Sequence, residues 1–294
     1  MIVTLKSEGY QITVNTLGAE LKSFKNPSGK EFIWNGDPAF WARSSPLLFP
    51  AIGNVRNNKT VIAGREYPMP KHGFCKDMEF VLLTCRNDFA VFSLRANEES
   101  LKYYPYLFEL QLSYKLDRNK LAISYKVSNK SEDIMYYHIG AHPGFICPLE
   151  SGKSLKDYVL QFDRDENIKS IVYDMTKLCF SSSRTGIALE GNLLPLSADM
   201  FDNDAIYFRH TNSHGVSLIN PSTAKGVHLS YPDFSSIAIW TPAGGAAPFV
   251  CLEPWNGAAI FDDEDDIFCH KRDIQALMPE KETSYRLEIS LMGY

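Results

Sequence analysis

The chain has 294 residues, with 45% hydrophobic and 22% charged residues and a formal net charge of −5. These proportions are ordinary for a globular protein that buries a large core. No basic stripe and no apolar run of membrane-spanning length is present, so neither nucleic acid nor a membrane is an expected partner, and a soluble protein is predicted.

The first elements along the chain are predicted strands. Residues 1–8 lack a charged start followed by an apolar stretch, so they predict a first β-strand rather than a signal peptide. Further on, the alternating residues 80–84 and 89–94 flank the polar residues 86–88. This arrangement predicts a β-hairpin.

A second hairpin follows, with one buried and one wetter face. Alternate apolar residues in 110–116 and 121–127 flank the turn 117–120. Three later segments are also strand candidates: 216–219, 236–240 and 285–291. Trp240, at the end of the second of these, is interpreted as an ordinary core residue. Helical periodicity is limited to two short predicted turns, at 37–43 and 196–201.

Together these elements predict one all-β domain over residues 1–294. No Gly-, Pro- or Ser-rich linker and no repeat divides the chain. A large antiparallel β-sandwich is favoured over a small closed barrel, because so many strands would otherwise leave long open edges. The six scattered cysteines include no C-x-x-C pair, which predicts reduced thiols and a cytoplasmic protein. The acidic run 262–266 lacks the spacing of a calcium loop and predicts a solvated loop.

His142 is the first candidate for chemistry. Pro143 disfavours a helical backbone at His142 and Gly144 lets the chain turn, so the imidazole is expected at a strand end, facing a cleft. A single histidine is nonetheless more often structural than catalytic. His138 lies four residues earlier, a spacing that can bind zinc on a helix. Because the local pattern is not helical, no metal site is predicted.

Glu253 is the second candidate, since it follows the apolar residues 249–252 and so ends a buried strand. A buried carboxylate must be paired, hydrogen-bonded or open to a cleft. From sequence alone, a structural ion pair with Arg56 or Arg209 is as good an interpretation as a functional role. Trp255 would face the same side as Glu253 in an extended chain, and an indole beside a carboxylate suits a sugar.

Four short motifs then occur in a fixed order. They are Leu48-Phe49-Pro50 with Gly53 and Arg56, His72-Gly73-Phe74, Gly140-x-His142-Pro143-x-Phe145, and Cys251-Leu252-Glu253-Pro254-Trp255. Their order and spacing resemble the aldose 1-epimerase family, above all its bacterial LacX-like branch, over nearly the whole chain. The resemblance implies a galactose mutarotase-like supersandwich, a large β-sandwich with its site in a cleft on one sheet, and no cofactor or metal.

The resemblance also implies roles for the matching residues. His142 matches the histidine that protonates the sugar's ring oxygen, and Glu253 matches the carboxylate that takes the proton of the anomeric hydroxyl. His72 matches a second histidine that contacts the sugar. Arg56 matches a sugar-binding arginine.

The family also has an aspartate between the second histidine and the glutamate. Asp204 is the better match, with Asp202 left open as the alternative. Trp255 completes the implied sugar-binding set. The position of Lys76 often carries arginine in similar sequences, and a lysine cannot clamp a phosphate in bidentate fashion, so a phosphorylated sugar is put in doubt.

The implied reaction, exchange of α and β anomers, needs only a base at O1 and an acid at the ring oxygen. The predicted partner is therefore a small sugar, whether a free hexose, a hexose 6-phosphate or another sugar. Two alternatives stay open. A glycoside hydrolase would use Glu253 and Asp204 as its carboxylate pair. A non-catalytic sugar-binding protein would keep the cleft without turnover, and the presence of both His142 and Glu253 favours an enzyme.

Overall fold

The computed structural model describes all 294 residues, which form twenty-two β-strands. The first eleven are β1 (Ile2–Ser7), β2 (Tyr10–Asn15), β3 (Glu20–Lys25), β4 (Leu47–Leu48), β5 (Lys59–Ile62), β6 (Arg65–Pro68), β7 (Val81–Cys85), β8 (Phe89–Arg95), β9 (Phe108–Asp117), β10 (Lys120–Asn129) and β11 (Met135–Tyr137). The others are β12 (Ile139–Ala141), β13 (Gly144–Ile146), β14 (Val159–Asp174), β15 (Cys179–Pro195), β16 (Ile206–Phe208), β17 (Gly215–Asn220), β18 (Lys225–Ser230), β19 (Ser236–Trp240), β20 (Phe249–Asn256), β21 (Gln275–Leu277) and β22 (Glu282–Met292).

The helical content consists of six short 3-10 segments. They are Arg56–Asn58, Cys75–Asp77, Ser100–Lys102, Leu155–Asp157, Ala198–Phe201 and Phe268–His270. The predicted helical turn at 196–201 is therefore confirmed in part. None of these segments has the length and apolarity needed to cross a membrane.

Fifteen of the strands belong to one sheet. Its main path runs β4-β12-β20-β19-β16-β14-β17-β18-β22-β10-β9-β8-β7, while β13 joins β20 and β15 joins β14. A smaller sheet, β1-β2-β3, contacts β9, and the Tyr114 hydroxyl on β9 donates to the carbonyl oxygen of Ala19 at 2.6 Å. All pairings between these strands are antiparallel. The predicted all-β class is confirmed.

The β9–β10 hairpin shows how the sequence pattern becomes structure. Leu116 pairs with Leu121 and Tyr114 pairs with Ile123, and all four side chains are buried. Because successive side chains of a strand point to opposite faces, this register buries every second residue of both strands. Arg118 closes the turn with a φ of 52°. This hairpin, the β7–β8 hairpin and the strands β17, β19 and β22 confirm the predicted strand segments.

The predicted helical turn at 37–43 is confirmed only as a single hydrogen-bonded turn, without a helical segment. The N–H groups of Phe40 and Trp41 both donate to the carbonyl oxygen of Asp37, at 3.1 and 2.9 Å, but no further turn follows. The indole N–H of Trp34 donates to the carbonyl oxygen of Trp41 at 2.8 Å. This tertiary contact uses the carbonyl that a continuing helix would need, so the segment stays a single turn.

The acidic residues 262–266 form the predicted loop, but their carboxylates are paired with cations. Arg56 contacts Asp266 at 2.6 Å and Arg272 contacts Asp263 at 2.7 Å. The first pair attaches the loop to the 3-10 segment at Arg56–Asn58, and the second attaches it to the chain that follows the loop.

The main core contains 64 buried residues, from Val3 on the first strand to Leu291 on the last, so both ends of the chain share it. A second cluster of ten buried residues includes Leu48, Tyr207 and Trp255. This smaller cluster forms the apolar floor of a pocket on the large sheet.

Candidate functional site

A cavity of about 250 Å³ opens beside β20 and its neighbours β12 and β19. Pockets for drug-sized ligands span ~300–1,000 Å³, so this cavity has the size expected for a smaller molecule. His72, His142, Asp204, Glu253 and Trp255 all line it. The fold thus brings together five of the six residues that the sequence singled out.

Strand β20 places Glu253 and Trp255 on the same face, as the sequence predicted. Its partner residues leave room for the two side chains. Ala238 on β19 pairs with Glu253, and Gly140 on β12 pairs with Trp255. A Cβ atom at Gly140 would lie 2.9 Å from Cδ1 of Trp255, so a larger residue at this position would displace the indole.

His142 lies between the short strands β12 and β13, at the predicted strand end. Its backbone N–H donates to the carbonyl oxygen of Pro46 at 3.2 Å. Its ring stacks on Trp41, with centroids 4.7 Å apart, and meets Trp240 edge-on at 5.7 Å. Two indoles therefore fix the imidazole plane, and the stacked one also favours a positively charged ring.

His138 belongs to the core rather than to the pocket. Its Nε2 atom lies 3.1 Å from the carbonyl oxygen of Arg272, and the residue is fully buried. Four extended residues span about 13 Å at 3.3 Å each, so His138 and His142 do not meet as they would on a helix.

His142 and Glu253 form the central pair of the pocket. Nε2 of His142 lies 3.2 Å from Oε2 of Glu253, although the angles do not make a hydrogen bond and Oε2 has no other partner. Glu253 is only 1% exposed. The alternative of a structural ion pair is excluded, because Arg56 pairs with Asp266 and Arg209 pairs with Asp273.

Burial shifts both groups of this pair toward their neutral forms. It raises the pKa of Glu253 well above its usual value, an effect that Lys71 opposes and Asp204 reinforces. Burial, with a contribution from Lys71, lowers the pKa of His142 to about 3. The resting pair therefore holds one proton, on the Glu253 carboxyl, beside a neutral imidazole.

His72 offers a hydrogen-bond donor to the pocket. Its Nδ1 atom accepts a hydrogen bond from the backbone N–H of Gly53 at 3.1 Å. The backbone N–H of His72 donates to the carbonyl oxygen of Gly53 at 2.9 Å. Burial, together with His142, Lys71 and Lys76, lowers the pKa of His72 well below its usual value. The ring is neutral, and its one proton lies on Nε2, because Nδ1 acts as the acceptor.

Asp204, and not Asp202, is the aspartate of the pocket. Asp204 lines the cavity, whereas Asp202 is exposed to solvent. The backbone of Asp204 has a φ of 70°, a conformation that Asp and Asn adopt more readily than most residues. Its carboxylate also contributes to the raised pKa of Tyr173, which burial lifts to about 12.

Arg56 is the site residue that the structure does not bring to the pocket. Its guanidinium contacts Asp266 at 2.6 Å and donates to the carbonyl oxygen of Glu264 at 3.0 Å. Arg56 begins a 3-10 segment in which Asn57 has a φ of 53°, and the two contacts hold the guanidinium at the acidic loop. Asn54, two residues earlier, lines the cavity instead and donates through Nδ2 to the Tyr173 hydroxyl at 2.8 Å.

This placement yields a paired prediction. Asn54→Ala is expected to raise the KM or Kd for the sugar that the motif resemblance implies by about 2–12-fold, the value of one hydrogen bond of ~0.5–1.5 kcal/mol. Arg56→Ala is expected to leave both constants unchanged, because its side chain is 41% exposed and bound to the acidic loop. Isothermal titration of both variants with the sugar tests the contrast. A larger loss for Arg56→Ala would return Arg56 to the site.

Trp240 and Trp41 are pocket residues that the sequence did not reveal. Trp240 was expected in the core, but it pairs with Cys251 across β19 and β20, which places it on the same face as Glu253. Trp41 reaches the cavity from the turn after Asp37. Of the two, only Trp240 had a signal in the sequence, because it ends a strand with an alternating pattern. The face to which its side chain points becomes known only from the pairing register of β19 with β20.

Three cationic residues, Arg43, Lys71 and Lys76, also line the cavity. The Lys76 ammonium donates to the carbonyl oxygens of Lys71, at 3.0 Å, and Gly73, and thus holds the loop that carries His72. Arg43 bonds to Asp77 and to the carbonyl oxygen of Lys76. Lys71 forms no ion pair, so it is the one of the three whose ammonium is available to a ligand.

Comparison with known proteins identifies the family. The family model described as aldose 1-epimerase matches residues 1–289. Protein LacX of Lactococcus lactis, in its plasmid form, is 32% identical over 302 aligned positions that cover 100% of both chains.

Two solved structures share the fold. A galactose mutarotase related enzyme from Lactobacillus acidophilus has 28% identity and a TM-score of 0.93, covering 99% of this chain and 97% of that one. A galactose mutarotase-like protein from Lactobacillus casei has 27% identity and a TM-score of 0.88, covering 99% and 100%. The predicted galactose mutarotase-like sandwich is thereby confirmed.

Proposed function

The chain belongs to the aldose 1-epimerase family, and from that membership we propose that it interconverts the α and β anomers of a hexose or a related sugar. His142 is the general acid and Glu253 the general base. The observation that carries the proposal is their pairing at 3.2 Å in a buried, sugar-sized cavity.

The proposed reaction moves two protons and consumes no other reactant. Glu253 takes the proton from the anomeric hydroxyl O1 while imidazolium His142 gives its proton to the ring oxygen. The bond between C1 and the ring oxygen breaks, and O1 becomes the carbonyl oxygen of an open-chain aldehyde. After the carbonyl turns its other face, the same steps run in reverse and close the ring as the other anomer.

The single proton of the pair has to be on His142 when the ring opens. Sugar hydroxyls that donate to the Glu253 carboxylate stabilise its charged form, because hydrogen bonds to the ionised form lower the pKa. Stacking on Trp41 stabilises the imidazolium. Both effects move the proton from Glu253 to His142 over a short distance, so the acid and base are generated together when the sugar binds.

The remaining site residues are proposed to hold the sugar. The indole of Trp255 offers an apolar face for the C–H groups of a pyranose. Nε2 of His72, Asp204 and Asn54 offer a donor, an acceptor and an amide to its hydroxyls. The cavity of about 250 Å³ suits one monosaccharide unit.

The acid side of the pH profile is expected to be flat. The working pair carries one proton and gains a second only as the pH falls toward about 3, the pKa of His142. The enzymatic kcat/KM, after subtraction of the uncatalysed rate at each pH, should therefore not fall as the pH is lowered from 7 to about 5. A loss of kcat/KM as the pH falls through the ordinary histidine pKa of about 6.5 would contradict this account.

Polarimetry tests the function itself. Freshly dissolved α-glucose, α-galactose and their 6-phosphates are followed to anomeric equilibrium with and without the protein. Acceleration of any one of them supports the proposal, and the fastest identifies the substrate. Binding without acceleration would favour a sugar-binding protein, and release of a reducing sugar from an aryl glycoside would favour a hydrolase that uses Glu253 with Asp204.

A further inference from the structure

Cys251 is a buried thiol that the proposed reaction does not use. It lies on β20 two residues before Glu253, and side chains two residues apart on a strand share a face. One ligand atom from each of His142, Cys251 and Glu253 lies within 4.8 Å of the other two, and all three residues are buried. An imidazole, a thiol and a carboxylate thus converge at one place.

One polar atom of this cluster has no hydrogen-bond partner in the protein. Oε2 of Glu253, which lies 3.2 Å from Nε2 of His142, is buried without a hydrogen bond. Glu253 as a whole is 1% exposed. A buried carboxylate oxygen without a partner costs free energy, so the cluster has unsatisfied capacity for a ligand that is not part of the chain.

The distances suit a tetrahedral metal ion. Zinc binds histidine nitrogen at about 2.0–2.1 Å and carboxylate oxygen at about 2.0–2.2 Å, which places the two ligand atoms about 3.3 Å apart at the tetrahedral angle. Nε2 of His142 and Oε2 of Glu253 are 3.2 Å apart. The Cys251 sulfur lies at most 4.8 Å from the other two ligand atoms. To bind zinc at the zinc–sulfur distance of about 2.3 Å, the sulfur has to move about 1 Å toward them.

The charges and the access also suit a divalent ion. Metal binding releases the protons of the Cys251 thiol and the Glu253 carboxyl. The resulting thiolate and carboxylate, with a neutral imidazole, carry two negative charges, so a divalent cation gives a neutral group in a buried place. His142 and Glu253 line the cavity, which supplies the entrance and a fourth coordination position. Three protein ligands with one open position are the arrangement of exchangeable rather than closed structural zinc sites.

We propose that His142, Cys251 and Glu253 form a binding site for a thiophilic divalent cation such as Zn²⁺. Binding itself rests on the geometry alone. Its consequence rests on the proposed function: the ion takes the nitrogen and oxygen lone pairs that the acid and base need, so it inhibits anomer exchange.

Cobalt(II) is the probe for binding, because a thiolate ligand gives Co²⁺ a charge-transfer band and a tetrahedral site gives it visible absorption. Chelator-treated protein is titrated with CoCl₂. Wild type is expected to show both features, and ZnCl₂ is expected to remove them. Cys251→Ser and Cys251→Ala are expected to lack the thiolate band, and circular dichroism verifies that each variant is folded.

Cys269→Ser is the matched control. Cys269 is half-buried next to His270, whose Nδ1 atom lies 2.8 Å from Asp265, so it is a second place with cysteine, histidine and carboxylate side chains. The control is expected to keep the cobalt band. Loss of the band in Cys269→Ser with retention in both Cys251 variants, or no thiolate band in wild type, overturns the site.

Inhibition is measured separately with the sugar that polarimetry identifies. Zn²⁺ is expected to inhibit wild type, and its inhibition constant should weaken by more than about 100-fold in Cys251→Ala, since loss of even an outer-shell partner costs 10–100-fold. Each variant is compared with its own metal-free rate. Activation by Zn²⁺ overturns the inhibitory role. If no sugar is turned over, the cobalt spectra still decide the site, so failure of the function and failure of the site are distinguishable.

Discussion

Replacing Glu253 by glutamine is expected to lower kcat/KM by about 10²–10⁴-fold, the usual contribution of one positioned proton-transfer group. Glutamine keeps the shape of the side chain but cannot accept the O1 proton. Stability should change little, because the glutamine amide has the same shape and, like the Glu253 carboxyl, has a buried polar atom without a partner. Polarimetric rates and a thermal melt of the same sample measure both effects.

Glu166→Gln is the matched control for this substitution. Glu166 is also a buried glutamate, 4% exposed, but it lies outside the cavity and accepts hydrogen bonds from the N–H groups of Asn212 and Ser213, at 3.0 and 2.7 Å. Its replacement should cost about 1.5–3 kcal/mol of stability, the value of hydrogen bonds to a charged group, and leave kcat/KM unchanged. Equal activity losses in the two variants would show that burial, not acid-base chemistry, explains the effect at Glu253.

His142→Ala is expected to lose a similar factor for the complementary reason. Because acid and base act in one step, the double variant should be little worse than either single variant. Imidazole added to the assay is expected to restore part of the activity of His142→Ala and none of that of Glu253→Gln. Additive losses in the double variant would mean that the two residues act in separate steps.

Gly73→Ala is expected to destabilise the protein by about 2–5 kcal/mol, which combines a positive φ for alanine with overpacking. Gly73 has a φ of 70°, and a Cβ atom there would lie 2.2 Å from the carbonyl oxygen of Phe49. Backbone atoms cannot move aside as a flexible side chain can. The change would also displace His72, so KM should rise. Urea unfolding and polarimetry measure the two effects.

Gly64→Ala provides the control for Gly73→Ala. Gly64 has a similar φ of 76°, but nothing lies within 4 Å of its Cβ position. Only the conformational cost of about 1–2 kcal/mol applies, and activity should be unchanged. Equal destabilisation of the two variants would mean that the close approach of Gly73 to Phe49 does not contribute to the free energy of unfolding.

The strands could be predicted because their signal is local. In β9 and β10 every second residue is apolar, and the chain returns after a short polar turn, so pattern and pairing coincide. The order of strands in the large sheet could not be predicted in this way. It depends on pairings such as β14 with β17, whose residues are more than fifty positions apart, and no local pattern specifies them.

The two residues of the proposed catalytic pair could be singled out from their motifs, but the full lining of the pocket around them could not. Glu253 and Trp255 follow from strand alternation on β20. The position of Trp240 in the pocket depends on its pairing with Cys251, and this pairing is set by the tertiary structure. The prediction for Arg56 failed because its guanidinium binds Asp266 and the carbonyl oxygen of Glu264 in the acidic loop. Motif spacing does not reveal a contact between residues so far apart in the chain.

The most direct test of the central claim is the exchange rate between the two anomers at equilibrium. NMR saturation transfer between the α and β anomeric protons, with the sugar that polarimetry identifies, measures ring opening and closing without any net reaction. Wild type is expected to transfer saturation at neutral pH, while Glu253→Gln and His142→Ala give only the rate of the protein-free solution. Undiminished transfer in either variant would contradict the assignment of His142 and Glu253 as the acid and base.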